Sequence, residues 1–393
     1  MDTRSRWQLY RERLGIPGAV VAIAAIALCC IGLGVAASVD ATTERSMRLF
    51  AKQAIRLLAA VPICGLVVFT RPRWIRRNAY VLYGVSLVLL AAVLAVGPVV
   101  NGARRWLGIG DFRFQPSDLA KLALCLALAR FLALRARAEN PWRLGAAIAF
   151  ACVPAALILK EPDLGTALTF VPILGSVVLV AGARRKHLAF LGAALLASIV
   201  LLAIFGLHNY QAERVRTWWH QNDLTRAEKL AEGYHLHRSK IAIGSGGVLG
   251  YGFADGPQNS NDLLPERHTD FAFSVLSEEW GFVGSVTVLL LELAIPLGLL
   301  WIARRVREPF ARLSIVGIGS QIGAQALVNL GVATGAFPTT GIALPLVSYG
   351  GSSAVMTLLS IAVALQLAAR AEPVLAAEAF EESEEATSLM RPR

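Results

Sequence analysis

The sequence predicts an all-α, polytopic integral membrane protein with about ten transmembrane helices and one long ordered extracytoplasmic loop. Three observations carry this. Only 17% of the 393 residues are charged and 55% are hydrophobic, whereas an ordinary soluble domain carries roughly a quarter charged residues. The apolar residues gather into runs such as 16–38 and 81–100, near the ~20 residues an α-helix needs to cross ~30 Å of hydrocarbon. The intervening loops alternate between strongly basic and motif-bearing sequence, as the two faces of a membrane protein do.

The first run follows Arg4, Arg6, Arg11 and Arg13 and has the outline of a signal peptide. It is too long for one, and no small-x-small cleavage site precedes a soluble domain, so it reads as the first span. Nine more follow, giving approximate spans of 16–38, 53–70, 79–99, 117–134, 144–160, 164–182, 188–207, 280–303, 313–333 and 350–369. Arg71, Arg73, Arg76 and Arg77 follow the second, and Arg135, Arg137 and Arg143 the fourth. Arg184, Arg185 and Lys186 follow the sixth; Arg304, Arg305, Arg307 and Arg312 follow the eighth. The positive-inside rule puts these loops and both termini in the cytoplasm.

Residues 1–370 therefore form one membrane domain, with its long outer loop at about 208–279. The remainder, 371–393, carries Glu378, Glu381, Glu382, Glu384 and Glu385 with few apolar residues. It reads as a disordered cytoplasmic tail. Between Phe271 and Ile302 lie too many apolar-leaning residues for one span at ~1.5 Å per residue. Glu278, Glu279 and Gly281 interrupt them, which predicts a short outer helix starting near Asp270, a break, and then the eighth span.

The formal charge of +11 is dispersed through short loops without interleaved aromatics, so it reports topology and not nucleic acid. The five cysteines lie inside apolar runs with no metal spacing and no outer-loop pair, and read as small buried hydrophobes. No internal repeat marks an inverted-repeat transporter.

Ionisable groups at membrane depth are costly and so mark function. Gln115-Pro116-Ser117-Asp118-Leu119-Ala120-Lys121 opens the fourth helix from outside, with Asp118 and Lys121 on one face. A cap with a local ion pair explains that spacing as well as a functional site does. Lys160-Glu161-Pro162-Asp163-Leu164-Gly165-Thr166 holds more charge than a reversal requires, and Asp163 is placed to answer Lys121 across the bundle. Arg104 and Arg105 stand outside against the topology bias; phosphate binding and simple solvation both fit. Pro265-Glu266-Arg267-His268-Thr269-Asp270-Phe271 puts a carboxylate at a helix start, where capping and catalysis are equally open. The stretch from Thr339 to Ser353 is rich in Gly, Pro and hydroxyls, as irregular backbone lining a cavity must be.

These four motifs, in this order and at these helix ends, resemble those of the shape, elongation, division and sporulation family. The likeness covers essentially the whole ten-helix core. Arg267 matches the elongation branch better than the division branch, and the family more often has Glu where this chain has Asp118.

The resemblance implies a peptidoglycan glycosyltransferase of the bacterial inner membrane that polymerises lipid II into β-1,4 glycan on the outer face. Its implied partners are lipid II, the growing lipid-linked glycan, a class B penicillin-binding protein and membrane proteins of the elongation complex. It carries an essential Asp onto Asp270 and an ion pair onto Lys121 and Asp163, within a charge network of Asp118, Lys121, Lys160, Glu161 and Asp163.

A diphosphate leaving group needs no general acid, so one carboxylate suffices to take the proton of the attacking hydroxyl. Developing charge on the diphosphate calls for cations. The candidates are Arg104, Arg105, Lys121, Lys240 and Arg267, with His268 and Ser348 beside them. No metal ligands cluster and no cofactor is implied, beyond a divalent cation (Mg2+ or Mn2+) held mainly by substrate phosphates. Two other classes compete: a flippase or transporter of the lipid-linked precursor, and a non-enzymatic scaffold. A transporter would place its coupling groups near mid-membrane, where only Glu292 lies. A scaffold would not need the acidic motif at Asp270.

Overall fold

The computed structural model describes residues 3–43, 47–100, 102–109, 112–133, 140–189, 192–193, 209–221 and 233–370. The acidic tail and most of the seventh predicted span, 188–207, lie outside the described residues.

The helices are α1 (Thr3–Thr42), α2 (Arg48–Phe69), α3 (Pro72–Val96), α4 (Pro116–Leu132), α5 (Pro141–Lys160), α6 (Leu164–Leu168) and α7 (Phe170–Val180). After them come α8 (Asn209–Trp219), α9 (Tyr234–Ser245), α10 (Pro257–Ser260), α11 (Ala272–Arg305), α12 (Pro309–Thr334) and α13 (Ser353–Arg370). Among the described residues, seven helices are long and apolar enough to cross a membrane: Leu14–Thr42 within α1, then α2, α3, α5, α11, α12 and α13. The shorter apolar pair α6–α7, spanning Leu164–Val180, and the 17-residue α4 pack into the same bundle. Among the described residues, the features absent from the sequence reading are the helices α8, α9 and α10 within the outer loop and a hairpin before α4. Its strands β1 (Leu107–Ile109) and β2 (Phe112–Phe114) pair antiparallel with Leu107 opposite Phe114.

Helix starts follow their local chemistry. Pro stands at the first turn of α3, α4, α5 and α12, where its missing N–H costs nothing. Asn140 caps α5 through Trp142 N, and Glu308 caps α12 through Phe310 N and Ala311 N. Gly335 ends α12 in the left-handed region, φ 83°.

The bundle is organised around α4 and α12. Fourteen residues of α4 are buried, from Pro116 to Leu132, and α12 packs against α4, α7, α11 and α13. Helices α2 and α3 instead expose Ile55, Leu58, Val61, Leu66, Val81 and Val88, the outward apolar face that suits lipid.

The predicted break in α11 falls at Gly281, φ 65° and ψ −159°. Breaking a helix frees backbone groups that lipid cannot satisfy. Residues 247–252 supply the partners. Tyr251 N and Gly252 N donate to the carbonyls of Glu278 and Glu279, at 3.1 and 3.0 Å. Phe282 N and Val283 N donate to the carbonyls of Gly247 and Val248, at 2.8 and 3.2 Å. A Cβ on residue 281 would sit 2.4 Å from Gly250 N, so close approach and dihedral both require glycine.

Candidate active site

The motif-bearing segments meet at one end of the bundle, on the scaffold of α4 and α12. Pro116 starts α4 and turns Asp118 and Lys121 inward, each 5% exposed. Lys121 Nζ lies 2.9 Å from Asp118 Oδ1 and donates to Gln325 Oε1 at 3.2 Å. Asp118 Oδ2 accepts from Ser352 Oγ at 2.9 Å, and Ser352 Oγ accepts from Gln115 N at 3.0 Å. The fourth helix and the loop before α13 are thus joined through one buried charge pair.

The ion pair expected between Lys121 and Asp163 is not formed. Asp163 accepts from Thr166 N at 3.0 Å and Thr166 Oγ1 at 2.9 Å, capping α6, and from Gln115 Nε2 at 3.3 Å. Its cation is Arg105, whose Nε lies 3.9 Å from Oδ2. The three-residue helical spacing gives Lys121 a nearer carboxylate on its own helix, which sets the pairing.

Arg105 also donates to the carbonyls of Glu161 (3.1 Å) and Pro162, so it braces the α5–α6 turn. Glu161 is fully buried with no hydrogen-bond partner for either carboxyl oxygen among the described residues. Burial pushes its pKa up to about 8, helped by Asp163 and opposed by Arg105. Lys160 is exposed at the end of α5.

Other expected phosphate ligands are divided by the structure. Arg104 is exposed but donates to the carbonyls of Ala95 (3.0 Å) and Leu94 (3.4 Å), closing the end of α3. Arg267 is buried, holding Asn259 O, Thr43 Oγ1 (2.8 Å) and Asp262 Oδ1 (3.0 Å); it braces the loop that carries Asp270. Ser348 is also inward, accepting from Leu344 N at 2.9 Å to close its own turn. Lys240 is exposed and reaches Gln221 Oε1 at 3.3 Å. The His268 ring meets Tyr349 edge-on at 5.5 Å, and its carbonyl accepts from Tyr349 N at 2.7 Å.

Asp270 is half-buried. Its backbone N–H donates to Glu266 O at 3.1 Å, and its carbonyl accepts from Asn329 Nδ2 at 2.9 Å. Its carboxyl is left for something else. Helix α11 has Phe271 at its N-cap position and no side-chain cap, so the capping reading of Asp270 does not describe this geometry. Burial first, and Glu266 second, raise its pKa to about 6, with Arg214 and Arg105 opposing and Asp163 adding to the rise. A carboxylate with its pKa near 6 is suited to accepting a proton at neutral pH. Gly341, φ 74°, faces it: a Cβ there would lie 3.6 Å from Asp270 Oδ2.

Sequence reasoning missed Gln325 and Asn329. They stand four apart on α12, with Gln321 four before them, all buried. A row of amides at helical spacing inside an apolar helix is the signal that could have found them. It also missed Ser38 and Asn259, which form a buried cluster with Glu279: Asn259 Nδ2 donates to Ser38 Oγ (2.9 Å) and Glu279 Oε1 (2.8 Å), and Ser38 Oγ donates to Glu279. Among the described residues no three His, Cys, Asp or Glu side chains converge as a metal ligand set.

Comparison with known proteins agrees on the kind of molecule this is. Residues 17–372 match the family described as cell cycle protein, FtsW/RodA/SpoVE. Peptidoglycan glycosyltransferase MrdB of Escherichia coli K12 is 37% identical over 297 residues, 75% of this chain and 79% of that protein. The crystal structure of Thermus thermophilus rod shape determining protein RodA superposes with a TM-score of 0.68 at 32% identity, covering 90% of this chain and 97% of that one. A chain from a peptidoglycan synthase complex, described for its coordination of polymerization and crosslinking, superposes with a TM-score of 0.74 at 36% identity. It covers 88% of this chain and 96% of that one.

Proposed function

The chain belongs to the FtsW/RodA/SpoVE family and is a peptidoglycan glycosyltransferase, and from that premise we propose that it polymerises lipid II into β-1,4 glycan strands during cell elongation and shape maintenance. The observation that carries the reading is Asp270: a carboxyl with raised pKa, uncommitted to the helix it precedes, at the meeting point of the charged loops.

In the proposed reaction the 4-hydroxyl of the acceptor sugar attacks the anomeric carbon of the donor. The new C–O bond forms as the bond to undecaprenyl diphosphate breaks, and the hydroxyl proton passes to Asp270. Direct displacement inverts an α-linked donor to a β-linkage. The departing diphosphate is already a stable anion and needs cations, not an acid. Lys240 and Arg105 are the residues assigned to it. A divalent cation (Mg2+ or Mn2+) would ride on the phosphates, since the described residues offer no ligand cluster.

The working surface is assigned to the outer face of the cytoplasmic membrane, with both termini inside. Cysteines placed at Lys160 and Asp270 should react with an impermeant maleimide in intact cells, and those at Arg184 and Arg304 only after permeabilisation. External labelling at position 184 would overturn this topology. A class B penicillin-binding protein is the proposed partner, with other membrane proteins of the elongation complex; the likeness to a synthase-complex chain supports the first of these.

Purified protein incubated with lipid II, with and without the transpeptidase partner, tests the activity directly. Polymer length would be read on gels. Because Asp270 must be ionised to accept a proton, the rate should rise with pH through about 6 and then level. No glycan under either condition would return the chain to its alternative, a carrier of the lipid-linked precursor. A rate that falls as pH rises from 5 to 7 would remove Asp270 as the base.

A further inference from the structure

We propose that Asn329 is a positioning residue for Asp270: it ties the loop that carries the carboxylate to the loop that faces it. This rests on the polymerase reading above and goes beyond it by assigning a role to a residue outside the charged motifs.

The amide of Asn329 has two hydrogens and both are used. One is donated to the carbonyl of Asp270 itself at 2.9 Å, the other to the carbonyl of Ile342 at 2.7 Å. Two carbonyl acceptors fix which end of the amide is nitrogen. The side chain is 1% exposed, and it projects from α12, the most enclosed of the long helices. A single rigid element therefore holds residue 270 against residue 342.

The residue before Ile342 is Gly341, the one whose Cα faces Asp270 Oδ2. The width of the gap in front of the carboxylate is thus set by Asn329. One turn earlier, Gln325 repeats the device. Its Nε2 donates to Ala343 O at 3.0 Å while its Oε1 accepts from Lys121. The 342–343 backbone is consequently pinned twice to α12, once toward Asp270 and once toward the Asp118–Lys121 pair. A second strut, Tyr349 N to His268 O, joins the same two loops from the other side. Asn329 Oδ1 keeps its lone pairs unpartnered and buried. That arrangement is costly for packing alone, and is maintained because the two donors are needed where they are.

The groups facing Asp270 are Glu266 on its own loop, Arg214 on α8, Asp163 in the α5–α6 turn and Arg105 ahead of β1. Releasing the clamp changes the distance of Asp270 from all four and from water. The test is Asn329→Asp and Asn329→Ser, assayed as intact protein with the transpeptidase partner and lipid II. Per folded molecule, kcat should fall about 10- to 100-fold, as sub-ångström to 1 Å misplacement of a reacting group does. KM for lipid II should stay within about threefold. The acid limb of the pH–rate profile should move up for Asp, which adds a negative charge, and down for Ser, which opens the loop to water.

If Asn329→Asp fails to fold, Asn329→Ser, which is neutral and retains one donor, decides alone. A residue serving only bundle packing would lower the melting temperature but leave kcat and the acid limb unchanged in both variants, and that result overturns the proposal. So would a loss carried wholly by KM. Wild-type protein that makes no glycan would instead remove the polymerase reading itself, so the two failures are told apart.

Discussion

Replacing Asp270 by Asn should slow glycan polymerisation by about 10²–10⁴-fold, the usual worth of a general base, while lipid II binding changes only a few-fold. Asn keeps the size of the side chain and its place before α11 but cannot take up a proton. Binding is expected to survive because in the proposed complex cations, not Asp270, hold the diphosphate. Loss of a negative charge beside an anionic substrate can even tighten it. The competing role, helix capping, is already weakened by a helix start with no side-chain cap. It also predicts little change, since Asn caps as well as Asp. Polymer yield and lipid II binding measured on the same stable Asn variant decide between them; normal polymer yield would retire Asp270 as the base.

The second large effect concerns the buried pair in α4. Lys121→Ala leaves Asp118 5% exposed with the hydroxyl of Ser352 as its remaining donor. Stranding a buried charge in this way costs on the order of 3–5 kcal/mol. A double-mutant cycle between Lys121 and Asp118 should therefore show strong coupling. The cycle between Lys121 and Asp163 should come close to additive, within about 0.5 kcal/mol, because Asp163 has Arg105, Thr166 and Gln115 for partners. Unfolding followed in detergent measures both. Coupling larger with Asp163 than with Asp118 would restore the cross-bundle pair expected from the family.

That revision shows where sequence reading runs out. The seven spans shown among the described residues were legible because hydrocarbon imposes one length and one composition on every crossing helix. The break in α11 was legible for the same reason, as an apolar stretch too long for one span with Glu278, Glu279 and Gly281 inside it. The position of Asp270 was legible as a carboxylate at a helix start, but whether it capped that helix depended on dihedrals at Phe271 that no motif states. Side-chain partners were the least legible. Lys121 has three carboxylates within its own charge network, Asp118, Glu161 and Asp163, and only the course of the chain before α4, with its small hairpin, gives Arg105 to Asp163. Arg104 and Arg267 looked like phosphate ligands because their charge is visible in sequence, whereas the carbonyls that occupy them are not. The amides of α12 carry no charge and so drew no notice, although their spacing was in plain view.

The bond between Ser38 and Glu279 joins residues 241 apart in the chain, and this separation has a consequence for how the protein is made. At roughly 5–20 residues per second of synthesis, about 12–50 s pass between the emergence of α1 and that of the residue its outer end is built to meet. During that interval Ser38, buried in the finished molecule, must be satisfied by water, lipid headgroups or an insertion factor, whereas Asp40 already has Phe50 N at 2.8 Å, ten residues further on. The first helix is therefore among the earliest made and the latest to be seated. A nascent chain halted anywhere before α11 would present a first span docked on α2 but with its broadest flank unclosed.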